Sequence, residues 1–150
     1  MNMKKNVIAL RGVGNSGKTT SLKLLRNMLC KKNNTSESYY RELENPEKDF
    51  ISFIRIGETT ICITSQGDYA PLMRKPLESA ISKNCNIIIC ACRSYGDTQS
   101  IINDIFIKYK KTWITKNQLH SDTDDQESFR AMANKNSAEL ILNIVEKIKL

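Results

Sequence analysis

Residues 7–25, VIALRGVGNSGKTTSLKLL, constrain the fold more than any other stretch. Val7, Ile8, Ala9 and Leu10 form a short apolar run without polar alternation, the pattern of a strand buried on both faces of a parallel sheet. A glycine-rich turn follows. After it, Leu22, Leu25, Met28 and Leu29 recur at helical spacing. A buried strand, a tight turn and an amphipathic helix in succession form the building unit of an α/β fold, because parallel strands need helical crossovers. Gly12 and Gly17 bracket the turn, and each can take backbone angles that a side chain would forbid. Bare backbone can then wrap an anion, with the N–H groups of residues 14–19 pointing inward and the helix start adding the positive end of its dipole.

The turn itself, Gly12-Val13-Gly14-Asn15-Ser16-Gly17-Lys18-Thr19, fits G-x-x-x-x-G-K-[ST] at every fixed position. Between a strand and a helix, this motif resembles the P-loop (Walker A) of the P-loop NTPase superfamily. The resemblance implies that the backbone of residues 12–19 cradles the phosphates of a nucleoside triphosphate. It implies that Lys18 reaches the β- and γ-phosphates, that the Thr19 hydroxyl ligates Mg²⁺, and that Thr20 touches the α-phosphate. The competing reading is an ordinary glycine turn before a helix, which leaves the lysine and threonine unexplained.

The chain of 150 residues is expected to form a single domain, residues 1–150, and its 40% hydrophobic share suffices for one core. No apolar run approaches the roughly eighteen residues of a membrane span. The start, MNMKKNVIAL, is basic, but its apolar run is too short for a signal peptide and leads straight into the first strand. A cytoplasmic location is expected. The five cysteines, Cys30, Cys62, Cys85, Cys90 and Cys92, are then expected to stay reduced. Cys85, Cys90, Cys92 and the lone His120 contain no Cys-x-x-Cys pair, so they read as small core thiols rather than zinc ligands. The net charge is +7, some of it from Lys4, Lys5, Lys31, Lys32, Lys108, Lys110 and Lys111. No arginine–aromatic stripe accompanies it, so no motif supports nucleic-acid binding, and the charge suits polyanionic ligands.

In chain order, the first helix is expected over residues 17–32. Residues 33–49 are polar, carry one proline and read as a loop. There Thr35 or Ser36 is placed to approach Mg²⁺, and Tyr39, Tyr40 and Arg41 to meet base, substrate or partner. Residues 50–56 and 59–64 are β-rich runs joined by Gly57-Glu58, a hairpin that puts an antiparallel strand at a sheet edge. Residues 71–75 read as a turn, and Pro76 as the first turn of a helix ending near Lys83. Residues 86–92, NIIICAC, read as the most buried strand. Asp97 is expected to cap a helix carrying Ile101, Ile102, Ile105, Phe106 and Tyr109. Residues 112–115 make a fifth strand, and Thr123 with Gln126 suits a capping box for a last helix reaching Lys149. The expected fold is an α/β three-layer αβα sandwich of the P-loop NTPase type, with a mostly parallel five-stranded sheet and one antiparallel edge strand. Ligands of such sheets sit at the carboxyl ends of the strands, where residues 12–19, 64–68 and 92–97 converge.

The order of P-loop, helix, hairpin and glycine loop also resembles the layout of small GTPases, with degenerate motifs. Where those proteins carry D-x-x-G, this chain has Thr64-Ser65-Gln66-Gly67. Where they carry [NT]-K-x-D, it has Thr115-Lys116-Asn117-Gln118. The resemblance places the Gly67 N–H near a γ-phosphate and Asp68 where a water-positioning glutamine stands. It lays the Lys116 stem on the base. Loss of the guanine-reading acid favours ATP over GTP. No acid directly follows an apolar run, so no Walker B aspartate is evident. Asp68 can contact Mg²⁺ through water, orient a hydrolytic water or serve as a base, or it is simply a turn residue. Arg93, directly after a buried run, can stabilise a transferring phosphoryl group or sit in a surface ion pair. The sequence thus points to a Mg²⁺-dependent nucleoside triphosphatase with Lys18, Asp68 and Arg93 as catalytic groups. Two alternatives stand beside it. One is a small-molecule or nucleoside kinase. The other is a nucleotide-dependent switch that engages a protein partner through residues 33–49 or the hairpin edge.

Overall fold

The apolar run at residues 7–10 becomes a strand buried on both faces. In the computed structural model, which describes residues 5–44, 48–119, 122 and 124–149, the chain runs β1 (Asn6–Arg11), α1 (Lys18–Cys30), β2 (Thr35–Glu42), β3 (Phe50–Ile56), β4 (Thr59–Thr64), α2 (Ala70–Ser82), β5 (Ile87–Cys92), α3 (Asp97–Ile105), β6 (Lys110–Thr115) and α4 (Gln126–Lys149). The strands form one six-stranded sheet in the order β2-β3-β4-β5-β1-β6. β1 pairs in parallel with β5 on one side and β6 on the other, and Arg11 stands level with both Cys92 and Thr115. β4 continues the parallel set against β5, while β3 runs antiparallel to β4 and to β2. The carboxyl ends of β1, β5 and β6 therefore open at one edge. Because β3 runs the other way, its first residue opens there too.

Alternation along the strands sends side chains to two cores. Ile8, Leu10, Ile61, Ile63 and Ile89 pack under α1 and α4, against Leu22, Leu25, Ile141 and Val145. Val7, Ala9, Ile88 and Cys90 face α2 and α3, against Met73, Leu77, Ile102 and Phe106. The result is an α/β architecture with helices on both faces of a mostly parallel sheet. Each fully buried aliphatic side chain contributes about 1.5–3 kcal/mol. Cys62, Cys85, Cys90 and Cys92 all lie in the second core, and burial pushes the Cys92 thiol up to about 11. No helix among the described residues is long and apolar enough to cross a membrane. Lys4, Pro46, His120 and Thr123 lie outside the described residues.

Four expectations need correction. The sheet has six strands, and the antiparallel strand is one in from the edge. The extra strand is β2, inside the segment read as a loop. It has no apolar alternation to announce it, and cross-strand partners hold it instead. Arg26 of α1 donates from both Nε and Nη2 to Glu37, at 2.7 and 2.6 Å, and Ser52 of β3 donates to the same carboxylate. Tyr39 meets Phe53, and Tyr40 stacks on Phe50 with the Arg26 guanidinium over its ring. α2 begins at Ala70, not Pro76. Pro71 takes its first turn, where a missing N–H costs nothing, and Pro76 lies inside it, buried. Finally, Gly96 rather than Asp97 occupies the cap position of α3.

The Arg26 hydrogen bond holds the Glu37 carboxyl below the usual carboxylate range. The folded chain thus takes up that proton later than the unfolded chain as pH falls. The stabilisation is complete above the unfolded value and is lost on acidification through the folded one. Both groups are only partly buried, so Glu37→Gln should cost about 1 kcal/mol near neutral pH, in the range for a half-exposed charged hydrogen bond. Urea unfolding at neutral and strongly acidic pH checks this: the gap to wild type should shrink in acid, and an equal gap at both would contradict it.

Candidate functional site

At the carboxyl edge the ladder continues past the strands. The Gly12 N–H donates to Cys92 O and the Lys116 N–H to Arg11 O, which fixes where residues 12–19 and 116–119 leave the sheet. Residues 12–19 then fold back into α1. Asn15 and Gly17 take positive φ, +58° and +95°. At Gly17 the +95° φ strains any side chain, and a Cβ would also stand 2.1 Å from the Asn134 Oδ1 of α4, which closes over the loop. No side chain caps the first turn of α1 and no acid lies in it. The positive end of the helix therefore faces the loop's concavity.

Lys18 sits at the centre of this concavity, 5% exposed. Its Nζ donates to Gly12 O at 2.7 Å, to Val13 O at 3.1 Å and to Asp68 Oδ1 at 2.7 Å. Arg93 stands on the other side of that carboxylate, with Nε 3.3 Å from Asp68 Oδ1. Its guanidinium lies over Gly14, where a Cβ would approach Nη2 to 2.9 Å. α3 clamps the Arg93 backbone: its N–H donates to Thr98 Oγ1 and its carbonyl accepts from Gln99 Nε2. Of the three groups singled out by the sequence as catalytic, Lys18 and Arg93 thus both contact Asp68. The Asp68 carboxylate is the anion between the two cations.

Thr19 Oγ1 donates to Asp49 Oδ1 at 2.7 Å, and Ser65 Oγ donates to the same oxygen at 2.8 Å. Asp49 is 4% exposed and directly precedes β3. Sequence reasoning missed it because it looked for an acid after a strand. An acid before an antiparallel strand reaches the same edge, and that was the available signal. Asn134 and Arg130 were also missed: Arg130 donates to Asn15 O at 3.3 Å, and helical spacing alone could not show which α4 face covers the loop. Thr35 and Ser36 pair with Ile56 and Arg55 at the opposite edge of the sheet, so they do not approach Thr19. Tyr39, Tyr40 and Arg41 lie on the edge strand β2, at the far end of the sheet from Lys116.

Two clefts adjoin here. One, of 250 Å³, is lined by Gly17, Lys18, Thr19, Thr20, Lys23 and Asp68. The other, of 470 Å³, is lined by Lys116, Asn117, Gln118, Leu119, Ala133 and Asn134. Asn15, Ser16 and Arg130 line both. The Ser16 hydroxyl is buried with no hydrogen-bond partner among the described residues. The Lys116 stem packs on Gly12 and its Nζ donates to Asn117 O, while burial and the nearby Arg130 charge lower its pKa. Among the described residues no group of three or more His, Cys, Asp or Glu side chains gathers to hold a metal ion. The oxygen-bearing side chains lining the smaller cleft include the Thr19 hydroxyl and the Asp68 carboxylate, and Asp49 stands behind Thr19 through its hydrogen bond; such oxygens suit a hard cation that keeps most of its waters. Comparison with family models, curated proteins and solved structures gave no match.

Gly67 places the 64–68 segment: a Cβ there would stand 2.3 Å from Ala91 O of β5. Backbone cannot yield as a flexible side chain can. Gly67→Ala should therefore destabilise the fold by about 1–3 kcal/mol, the usual overpacking range. Thermal unfolding checks it, and an unchanged midpoint would mean that the segment does not rest on β5.

Proposed function

We propose that residues 12–19 form a P-loop and that the protein is a Mg²⁺-dependent nucleoside triphosphatase that cleaves the β–γ phosphate bond, with ATP preferred. The observation that carries this reading is the Asp68 carboxylate bound to Lys18 within the glycine loop at an uncapped helix start. A buried lysine held by two carbonyls and one carboxylate oxygen is a ready anion site, and a phosphate offers the same charge-assisted hydrogen bonds. The phosphates take the 250 Å³ cleft and the base the adjoining 470 Å³ cleft. The described lining of the base cleft includes no carboxylate to pair with guanine N–H donors, which supports ATP. Its amides, Asn117, Gln118 and Asn134, can meet the adenine edge. The orphaned Ser16 hydroxyl lies between the two clefts, where a nucleotide has polar atoms to offer.

In this reading the incoming phosphates displace Asp68 from Lys18. Lys18 and the loop amides then hold the β- and γ-phosphates, and the freed carboxylate orients the attacking water. Arg93, already over Gly14, stabilises the charge on the γ-phosphoryl group as its bond to the bridging oxygen breaks. Nearly all the rate enhancement comes from positioning and preorganised charge. Thr19, with Asp49 behind it, would hold Mg²⁺, which would supply neutralisation of the phosphate charge. A second reading, a nucleotide switch with negligible turnover, is favoured by one feature. The segment that holds Asp68 runs directly into α2 at Ala70, so releasing Asp68 moves the start of a helix.

Lys18→Ala should abolish nucleotide binding while far-UV circular dichroism stays native. Asp68→Asn should lower phosphate release at least about tenfold with nucleotide affinity unchanged or higher, since the competing carboxylate charge is gone. Wild-type phosphate release in Asp68→Asn would remove Asp68 from the catalytic set. No release from wild type, with tight binding retained, would favour the switch.

A further inference from the structure

α2 covers β4 and β5 with Met73, Leu77 and Ala80, but the sheet extends two strands further to β3 and β2. Between α2 and those strands runs a groove of 520 Å³. Ile51 and Phe53 of β3 form its apolar floor. Tyr39 on the strand side and Leu72 on the helix side form its walls, and they remain 45% and 49% exposed. Leu72, Lys75, Ser79 and Lys83 recur along the helix face turned toward it.

The rim is strongly one-signed. Among the described lining residues, Arg41, Lys75 and Lys83 stand against one acid, Glu44. None of the three cations makes an ion pair or a side-chain hydrogen bond among the described residues, whereas Arg74 on the same helix pairs with Glu78. An apolar floor flanked by unpaired cations is matched by a molecule with an apolar body and an anionic head. The volume lies within the roughly 300–1,000 Å³ of small-molecule sites. Arg41 offers the planar fork that suits a carboxylate.

We propose that this groove binds a small amphiphilic carboxylate, with its apolar body on Ile51 and Phe53 and its head between Arg41 and Lys75. The site is separate from the Lys18 cleft, and the proposal does not rest on the nucleotide reading. Dodecanoate and dodecyltrimethylammonium, both below their micellar concentrations, are the probes for calorimetric titration of the full chain. Dodecanoate should bind with one-to-one stoichiometry and about tenfold or more tighter than the cation of the same tail. Arg41→Glu with Lys75→Glu should weaken dodecanoate by at least the same factor, and Lys83→Glu alone by less. Arg74→Glu, on the same helix but paired outside the groove, should leave it unchanged. Thermal midpoints show that each variant is folded. Equal binding of the two head groups, no binding of dodecanoate, or an unchanged affinity in the folded double variant would overturn the proposal.

Discussion

The buried ammonium of Lys18 is the constraint on which the rest of the site depends. A lysine nearly cut off from water must have its protons matched by oxygen. Here two carbonyls of its own loop and one carboxylate from the segment after β4 do so. The loop turns back into α1 through the left-handed residues Asn15 and Gly17, and the carboxylate can arrive because Gly67 lets its segment lie against Ala91. Arg93 then shares the same carboxylate from β5. Three segments far apart in sequence are tied together through one lysine and the carboxylate it holds.

That convergence is a product of strand direction. β1, β5 and β6 run in parallel and in step, so their loops leave at one edge with no adjustment. β3 runs the other way, and its start delivers Asp49 to the Thr19 hydroxyl. The cleft beside Lys116 needs a further element: α4 lies across the loop from behind, with Asn134 at Gly17 and Arg130 at Asn15. The sheet places the Lys18 side of the site and α4 closes the other.

What could be read from the residues was what local chemistry dictates. The glycine loop, the buried strands 7–10 and 86–92, the hairpin at Gly57 and the apolar faces of the helices all follow from periodicity or from turn preference. The convergence of Lys18 with Asp68 and Arg93 followed from placing loops at the carboxyl edge. The missed strand β2 and the missed Asp49 share one cause, because each depends on a partner distant in sequence, whereas the start of α2 was ambiguous locally. β2 is a strand through Glu37 reaching Arg26 and Ser52 and through its tyrosines on β3, not through any pattern of its own. Asp49 is a site residue only because the strand after it is antiparallel. α2 starts early because Pro71 suits a first turn as well as Pro76 does.

Calorimetric titration of the wild-type chain with Mg·ATPγS and Mg·GTPγS, side by side, tests the central claim most directly. The account predicts one-to-one binding of both through the phosphates, with ATPγS tighter because no carboxylate lines the described base cleft. Binding of neither nucleotide would contradict it, and would leave Lys18 and Asp68 as a partly buried ion pair that only holds the loop in place.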